Sequence, residues 1–448
     1  MRLPDTSVWR RALEIALPLM LAESADSILW IVDTYFVSGL GDKALAAVGV
    51  GGYLGWLMFV GGSLFYMGAL VLVAQYVGAR DVNGARRATG EALTSNILLA
   101  VPLALAAYWF SPTLVSWLAG PRVDVEVKSM AVSYFHYRLL GLPFTYAALV
   151  LDAAYRGVGR TRPVFTATVA FTLVNAVLDP LLIYGMLGLP AMGVAGAGLA
   201  SSIASAVYLV GLYVHAPRWL GYTPTPLPPG VLAWRAATIG VPALVERLAF
   251  VGGNLVYLGS VARCGEDALA AHTIGVRIES LAFLPIFAIG ESAATLAGQA
   301  VGAGSVGEAR RSGWEVAKLD MLAGVIAGIV IALLAPHLPW AFTDNPRVAR
   351  LARDYLLIAA ATEPFFGAAI SLTMAIRGAG NTTVPTVINL SSLYLLRVLP
   401  ATVIPRMLPP GLCVYGAWSA MAIDMGGRAA ISTTVYRRWF ERLARRVV

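Results

Sequence analysis

The chain has 448 residues, of which 58% are hydrophobic and only 13% charged, with a mean hydropathy of +0.72. Soluble domains carry about 25% charge, so this composition excludes an ordinary soluble fold and calls for an integral membrane protein. The net charge of +8 does not point to nucleic acid, because the basic residues fall between apolar runs and at the C-terminus, where they meet lipid headgroups and aqueous loops.

Apolar runs bounded by Gly, Pro and charge clusters predict twelve transmembrane helices, starting near residues 13, 45, 91, 129, 163, 193, 234, 269, 316, 350, 383 and 412. The first run is too long and too acidic for a cleavable signal peptide. It carries Glu23, Asp26, Trp30 and Asp33, spaced by three, four and three, so that all four share one helix face. An ionised acid at a helix centre costs about 2.5 to 3.5 kcal/mol on insertion scales, so such acids line a cavity, pair, or bind a proton or cation. Glu23 and Asp26 could equally sit near the cytoplasmic mouth or pair with an Arg, whereas Asp33 lies two-thirds of the way along the span.

The fifth run contains Asn175 and Asp179, four apart on one face, followed by the helix-distorting Pro180. A carboxamide oxygen and a carboxylate are hard ligands of the kind a small cation prefers, and with Asp33 they could hold one proton or one Na⁺. Local capping at the kink is the other role open to Asn175. Asp152 with Arg156, and Asp424 with Arg428, have the spacing of simple helix pairs. Glu246 and Arg247 in the seventh run and Glu363 in the tenth suit either a structural network or a binding site. Arg277, Glu279 and Glu291 in the eighth run are expected to form a polar stripe.

Cys264 and Cys413 lie far apart, so neither a disulfide framework nor a zinc site is expected from them. With no HExxH motif and no GxxxxGK[ST] loop, neither a membrane enzyme nor an ATP-driven pump is indicated, and no cofactor is expected beyond a coupling ion.

The basic residues test the number of spans. With both termini cytoplasmic, alternate gaps place nineteen Arg inside against eight Arg and Lys outside, the asymmetry that the positive-inside rule requires. An odd number of spans would spoil it.

The chain is also written twice. Sliding it by 224 residues aligns Pro18 with Pro242, Gly41 with Gly265, Gln75 with Gln299, and Ala85-Arg86-Arg87 with Ala309-Arg310-Arg311. At an offset of 221, Pro143-Phe144 meets Pro364-Phe365, and Arg156-Gly157 meets Arg377-Gly378. The expected organisation is a six-helix lobe over 1–217, a cytoplasmic linker over 218–233 and a second six-helix lobe over 234–448, related by a pseudo-two-fold axis. The acids of the first span are not repeated: Glu23, Asp26 and Asp33 face Arg247, Phe250 and Tyr257.

The paired turns LGDKALAAVG and CGEDALAAHT, the pair LVAQYVGA and LAGQAVGA, and RGVGRTRP with RGAGNTTVP resemble the multidrug and toxic compound extrusion (MATE) transporters, over nearly the whole chain. The resemblance implies export of cationic or amphipathic organic compounds by antiport with H⁺ or Na⁺, from a multi-pass protein of the cell membrane. No long interfacial motif calls for a dimer, so a monomer is expected. In the DinF-like branch of prokaryotes an Asp in the first helix and an Asn-x-x-x-Asp in the fifth form an acidic site, matched here by Asp33, Asn175 and Asp179. The branch's bend-forming proline is matched by Pro18, and a hydroxyl from the sixth helix is expected from Ser201 or Ser202. Other branches carry a Glu in the seventh helix and an Asp in the tenth, the helices that hold Glu246 and Glu363 here. A flippase of lipid-linked oligosaccharides, from the same superfamily, is the alternative.

Overall fold

The computed structural model describes residues 6–448, apart from the side chain of Pro410. Its helices are α1 (Thr6–Ser38), α2 (Asp42–Gly78), α3 (Val82–Ala119), α4 (Val125–Leu139), α5 (Leu142–Val158), α6 (Arg162–Tyr184) and α7 (Val194–Trp219). The second half holds α8 (Val231–Ala262), α9 (Glu266–Gly302), α10 (Val306–Leu334), α11 (Pro346–Gly378), α12 (Thr383–Ser392), α13 (Leu399–Met407) and α14 (Cys413–Leu443). A π-helical turn, Leu393–Val398, joins α12 to α13, so that Thr383–Met407 forms one span.

Among the described residues ten helices are long and apolar enough to cross a membrane. Two more spans complete twelve: α4 and α5 are one helix broken at Leu140 and Gly141, and α14 is long enough but charged. The protein is thus an all-α polytopic membrane protein, as its composition requires.

The sequence repeat reappears as repeated local structure. Gly41 and Gly265, with φ of 99° and 110°, turn the chain into α2 and α9 in a conformation that a side chain would disfavour. Asp81 caps α3 by accepting from the Gly84 amide at 2.8 Å, and Ser305, its counterpart, accepts from Glu308 N at 3.4 Å to cap α10. Asp124 and Asn345 do the same for α4 and α11. These caps explain why α3 and α10 begin at Val82 and Val306, well before the apolar runs expected near 91 and 316. A capped polar turn extends each helix beyond its apolar part.

Compact packing divides the chain into residues 18–244 and a second unit of Val245–Val448 together with the residues up to Leu17. Both cuts fall inside a helix, beside Pro18 in α1 and shortly after Pro242 in α8. The helices themselves run into the expected linker, α7 to Trp219 and α8 from Val231. The remaining connection is anchored to α3: Leu227 N donates to the Gly90 carbonyl at 3.2 Å, and the Tyr222 and Thr89 hydroxyls are 2.8 Å apart.

In the first unit, Leu54, Ala100, Phe135 and Tyr146 centre a core of α2, α3, α4 and α5. Asn96 stitches it, donating to the carbonyls of Gly62 at 3.1 Å and Tyr146 at 2.8 Å. In the second unit Tyr257, Tyr355 and Trp418 are buried together, with the Tyr355 and Trp418 rings edge to face at 5.4 Å. The expectation for the cysteines is corrected here: Cys264 and Cys413 form a disulfide across 149 residues. Sequence distance hid it, because packing brings the α8–α9 turn onto the start of α14.

A candidate cation site in the first unit

The site begins with small residues on α7. A Cβ on Gly198 would lie 2.4 Å from the Tyr134 carbonyl oxygen, and one on Gly196 would lie 2.6 Å from the Leu182 carbonyl, so only glycine lets α7 approach α4 and α6 this closely. That approach sets Ser201 of α7 against Asn175 of α6. The end of α6 is tied in turn to α1 by Tyr184, whose hydroxyl donates to the Phe36 carbonyl at 2.5 Å. Asp33 lies one turn before Phe36 and faces the same region.

Asp33, Asn175, Asp179 and Ser201 converge. The Asn175 amide nitrogen lies 3.1 Å from Asp33 Oδ1 and 3.1 Å from Asp179 Oδ2, in the amide orientation that its neighbours favour. The amide oxygen then accepts from the Ser201 hydroxyl and amide, each at 3.2 Å. The two carboxyl groups also act on each other electrostatically. Asn175 and Asp179 are each 1% exposed and Asp33 is partly exposed, so access to the cluster is from the α1 side.

Two acids and an amide supply oxygen ligands for a small cation, or acceptors for a shared proton. Ser202 is turned elsewhere, donating to the carbonyls of Tyr137 at 2.6 Å and Arg138 at 3.2 Å, where it ties α7 to α4. Asp26, two turns before Asp33 on the exposed face of α1, acts on Asp33 electrostatically. Arg138, at the end of α4, acts on both Asp26 and Asp33. Sequence reading missed Arg138; its one signal was a lone Arg inside an apolar span, just before the Gly141-Leu142-Pro143 break. Pro18 lies within a continuous α1 and deprives the Glu14 carbonyl of its helical donor.

Among the described residues the second unit has no counterpart of this cluster. Tyr257 stands where Asp33 would be, buried, with its hydroxyl on the Ala417 carbonyl at 3.2 Å, while Leu396 and Pro400 take the places of Asn175 and Asp179. Its charges are largely paired. Glu246 accepts from Arg377 at 2.5 Å and from Asn389 at 2.8 Å. Asp424 is held by Arg397 at 2.8 Å and Arg428 at 2.7 Å, so the expected Asp424–Arg428 pair is part of a triad. In the first unit Asp152 and Arg156 pair at 2.9 Å. The polar stripe expected on α9 does not form: Arg277 is exposed and Glu279 buried against the Tyr355 hydroxyl, because residues two apart point to nearly opposite sides of a helix. Glu291 is partly buried, about three turns beyond Glu279. Glu363 is buried on α11.

Comparison with known proteins matches this arrangement of two repeated halves. A protein named "Probable multidrug resistance protein NorM" from Thermotoga maritima is 28% identical over 436 residues, covering 95% of this chain and 91% of its own. "Probable multidrug resistance protein YoeA" from Bacillus subtilis is 24% identical, over 92% of this chain and 90% of its own. Among solved structures, MATE in complex with MaD3S superposes with a TM-score of 0.86 at 21% identity, covering 97% of this chain and 96% of its own. A transporter of the MOP superfamily from Pyrococcus furiosus superposes with a TM-score of 0.83 at 21% identity and the same coverage. The MatE family model matches twice, over residues 18–181 and 242–403, one match in each half of the sequence repeat. The chain belongs to the MatE family.

Proposed function

We propose that this protein is a secondary active multidrug efflux transporter that exports cationic or amphipathic organic compounds in exchange for H⁺ or Na⁺. The observation that carries the reading is the convergence of Asp33, Asn175, Asp179 and Ser201 from three helices within one unit. An acidic site of this kind, present in one half of a repeated fold and absent from the other, is not part of what the two halves share and is suited to binding a coupling ion. The names carried by the NorM and YoeA relatives agree with efflux.

In the proposed cycle, loading of the acid pair with a proton or Na⁺ rearranges the hydrogen bonds of Asn175, and α1 yields at Pro18, where one backbone bond is already missing. The organic substrate is released as the lobes alternate their access. Both termini face the cytoplasm of a cell-membrane protein working as a monomer, the orientation that the Arg asymmetry favours.

The test uses the purified chain in liposomes with a fluorescent organic cation, under an imposed pH gradient and then a Na⁺ gradient. One gradient should drive dye movement and thereby name the ion. Asp33→Asn should fold normally and slow that movement by about tenfold or more, the rate equivalent of about 1.4 kcal/mol of lost coupling. Wild-type rates in that variant would refute the role of Asp33. Failure of either gradient to move dye, with passage of a lipid-linked oligosaccharide instead, would favour a flippase.

A further inference from the structure

Two acids of the second unit take no part in the site above. Asp320 on α10 is 0% exposed and Glu363 on α11 is 1% exposed. Asp320 Oδ2 accepts from the Ser371 hydroxyl at 2.7 Å, while Asp320 Oδ1 and both carboxyl oxygens of Glu363 have no partner. The helices meet here with little spare room: a Cβ on Gly324 would lie 2.6 Å from the Glu363 carbonyl oxygen, and one on Gly367 would lie 2.7 Å from that of Asp320 and 3.2 Å from its carboxyl carbon.

The groups that act on these two acids are themselves acids. Glu363 acts on Asp320, and Glu279 of α9 acts on Glu363. Glu279 has its own partner in the Tyr355 hydroxyl at 2.5 Å and is acted on by Arg397. Asp424 of α14 is taken up by Arg397 and Arg428, and His272 of α9 packs edge to face on Tyr257 and Tyr355. No cation pairs with Asp320 or Glu363 among the described residues. A carboxylate buried without partners costs several kcal/mol, which a bound proton removes.

The internal repeat sharpens this. At the offset of 224, Asp320 corresponds to Asn96, whose amide donates to two backbone carbonyls, and a carboxyl can copy such a donor only when protonated. At the offset of 221, Glu363 corresponds to Leu142, which is buried and apolar. The same fold is therefore built in the first unit with a neutral donor and a hydrocarbon at these two places.

We propose that Asp320 and Glu363 form a second proton-binding site, in the unit that lacks the Asp33 cluster, and that both carboxyl groups are neutral in this conformation. Any part they play in transport rests on the efflux reading; proton binding itself does not.

Infrared difference spectroscopy of the purified full chain, titrated with acid and base in H₂O and D₂O, tests this through the carbonyl stretch of protonated carboxyl groups. Glu363→Leu and Asp320→Asn, which copy the residues of the first unit, should each lose one such signal near neutral pH, and Asp33→Asn should keep both. Signals unchanged in both variants, or displaced in the wild type by Na⁺ alone, would overturn the proposal. If either variant fails to fold, the spectra of wild type and Asp33→Asn still decide: no protonated carboxyl remaining near neutral pH in Asp33→Asn refutes it. Absence of dye export with these signals intact would sink the efflux reading only.

Discussion

Asn175 serves two carboxyl groups with one amide, and the direction of that amide distinguishes two kinds of ligand. With its nitrogen toward Asp33 and Asp179 and its oxygen toward Ser201, the amide is satisfied without a metal ion, while Asp179 Oδ1 is left without a partner, as suits a site that takes up a proton. Na⁺ would need the oxygen turned inward. Ser201 holds the first orientation, so Ser201→Ala should change the half-saturating concentration of the coupling ion by roughly fivefold, the equivalent of a hydrogen bond worth about 1 kcal/mol. Ser202→Ala should leave that concentration unchanged and lower only thermal stability, because its hydroxyl serves the backbone of α4. Ion-dependent dye export, measured in the two variants side by side, checks both outcomes. From sequence the two serines were equivalent, since adjacent residues on a helix differ by about 100° and only the neighbour of each decides its role.

At the scale of elements, α8 shows how one buried carboxylate fixes a helix. Glu91 on α3 is buried, and its Oε2 accepts from the amides of Leu232 at 2.9 Å and Ala233 at 3.1 Å, at the very start of α8. The pairing completes two orphan donors and places negative charge at the positive end of the helix. Glu91→Ala would strand both amides, and an unfolding transition should shift by about 2 kcal/mol or more. A calorimetric or fluorescence melt in detergent, with no comparable shift for Glu14→Ala on the exposed face of α1, would bear this out. Helix count and repeat were legible in the sequence because apolar runs of membrane length leave little else to form. The Glu91 contact was not, since it links residues about 140 positions apart and has no local pattern.

Over the whole molecule, the disulfide between Cys264 and Cys413 closes a loop of 149 residues that contains α9, α10, α11, α12 and α13. Cross-linking so long a segment restricts the unfolded chain, and its loss should cost about 2 to 5 kcal/mol. Cys264→Ser with Cys413→Ser should therefore lower the melting temperature while leaving ion-driven export at moderate temperature intact. Melting curves with and without reductant check the first part; an unchanged melt would show that the bond carries no stability.

Sequence alone determined the features written as a one-dimensional pattern: membrane residence from composition, twelve spans from apolar length and two halves from a fixed offset; it also named candidates, Asp33 as an acid the repeat failed to copy and Asn175 with Asp179 from their spacing of four. Tertiary structure alone decided which side chains meet. It brought Ser201 rather than Ser202 to the site, added Arg138 to its electrostatic surroundings, joined two distant cysteines, and left Asp320 and Glu363 buried with carboxyl oxygens unpartnered. The division has a physical reason. Membrane insertion and helix formation depend on neighbours along the chain, whereas a hydrogen bond or a buried charge depends on neighbours in space that only packing supplies.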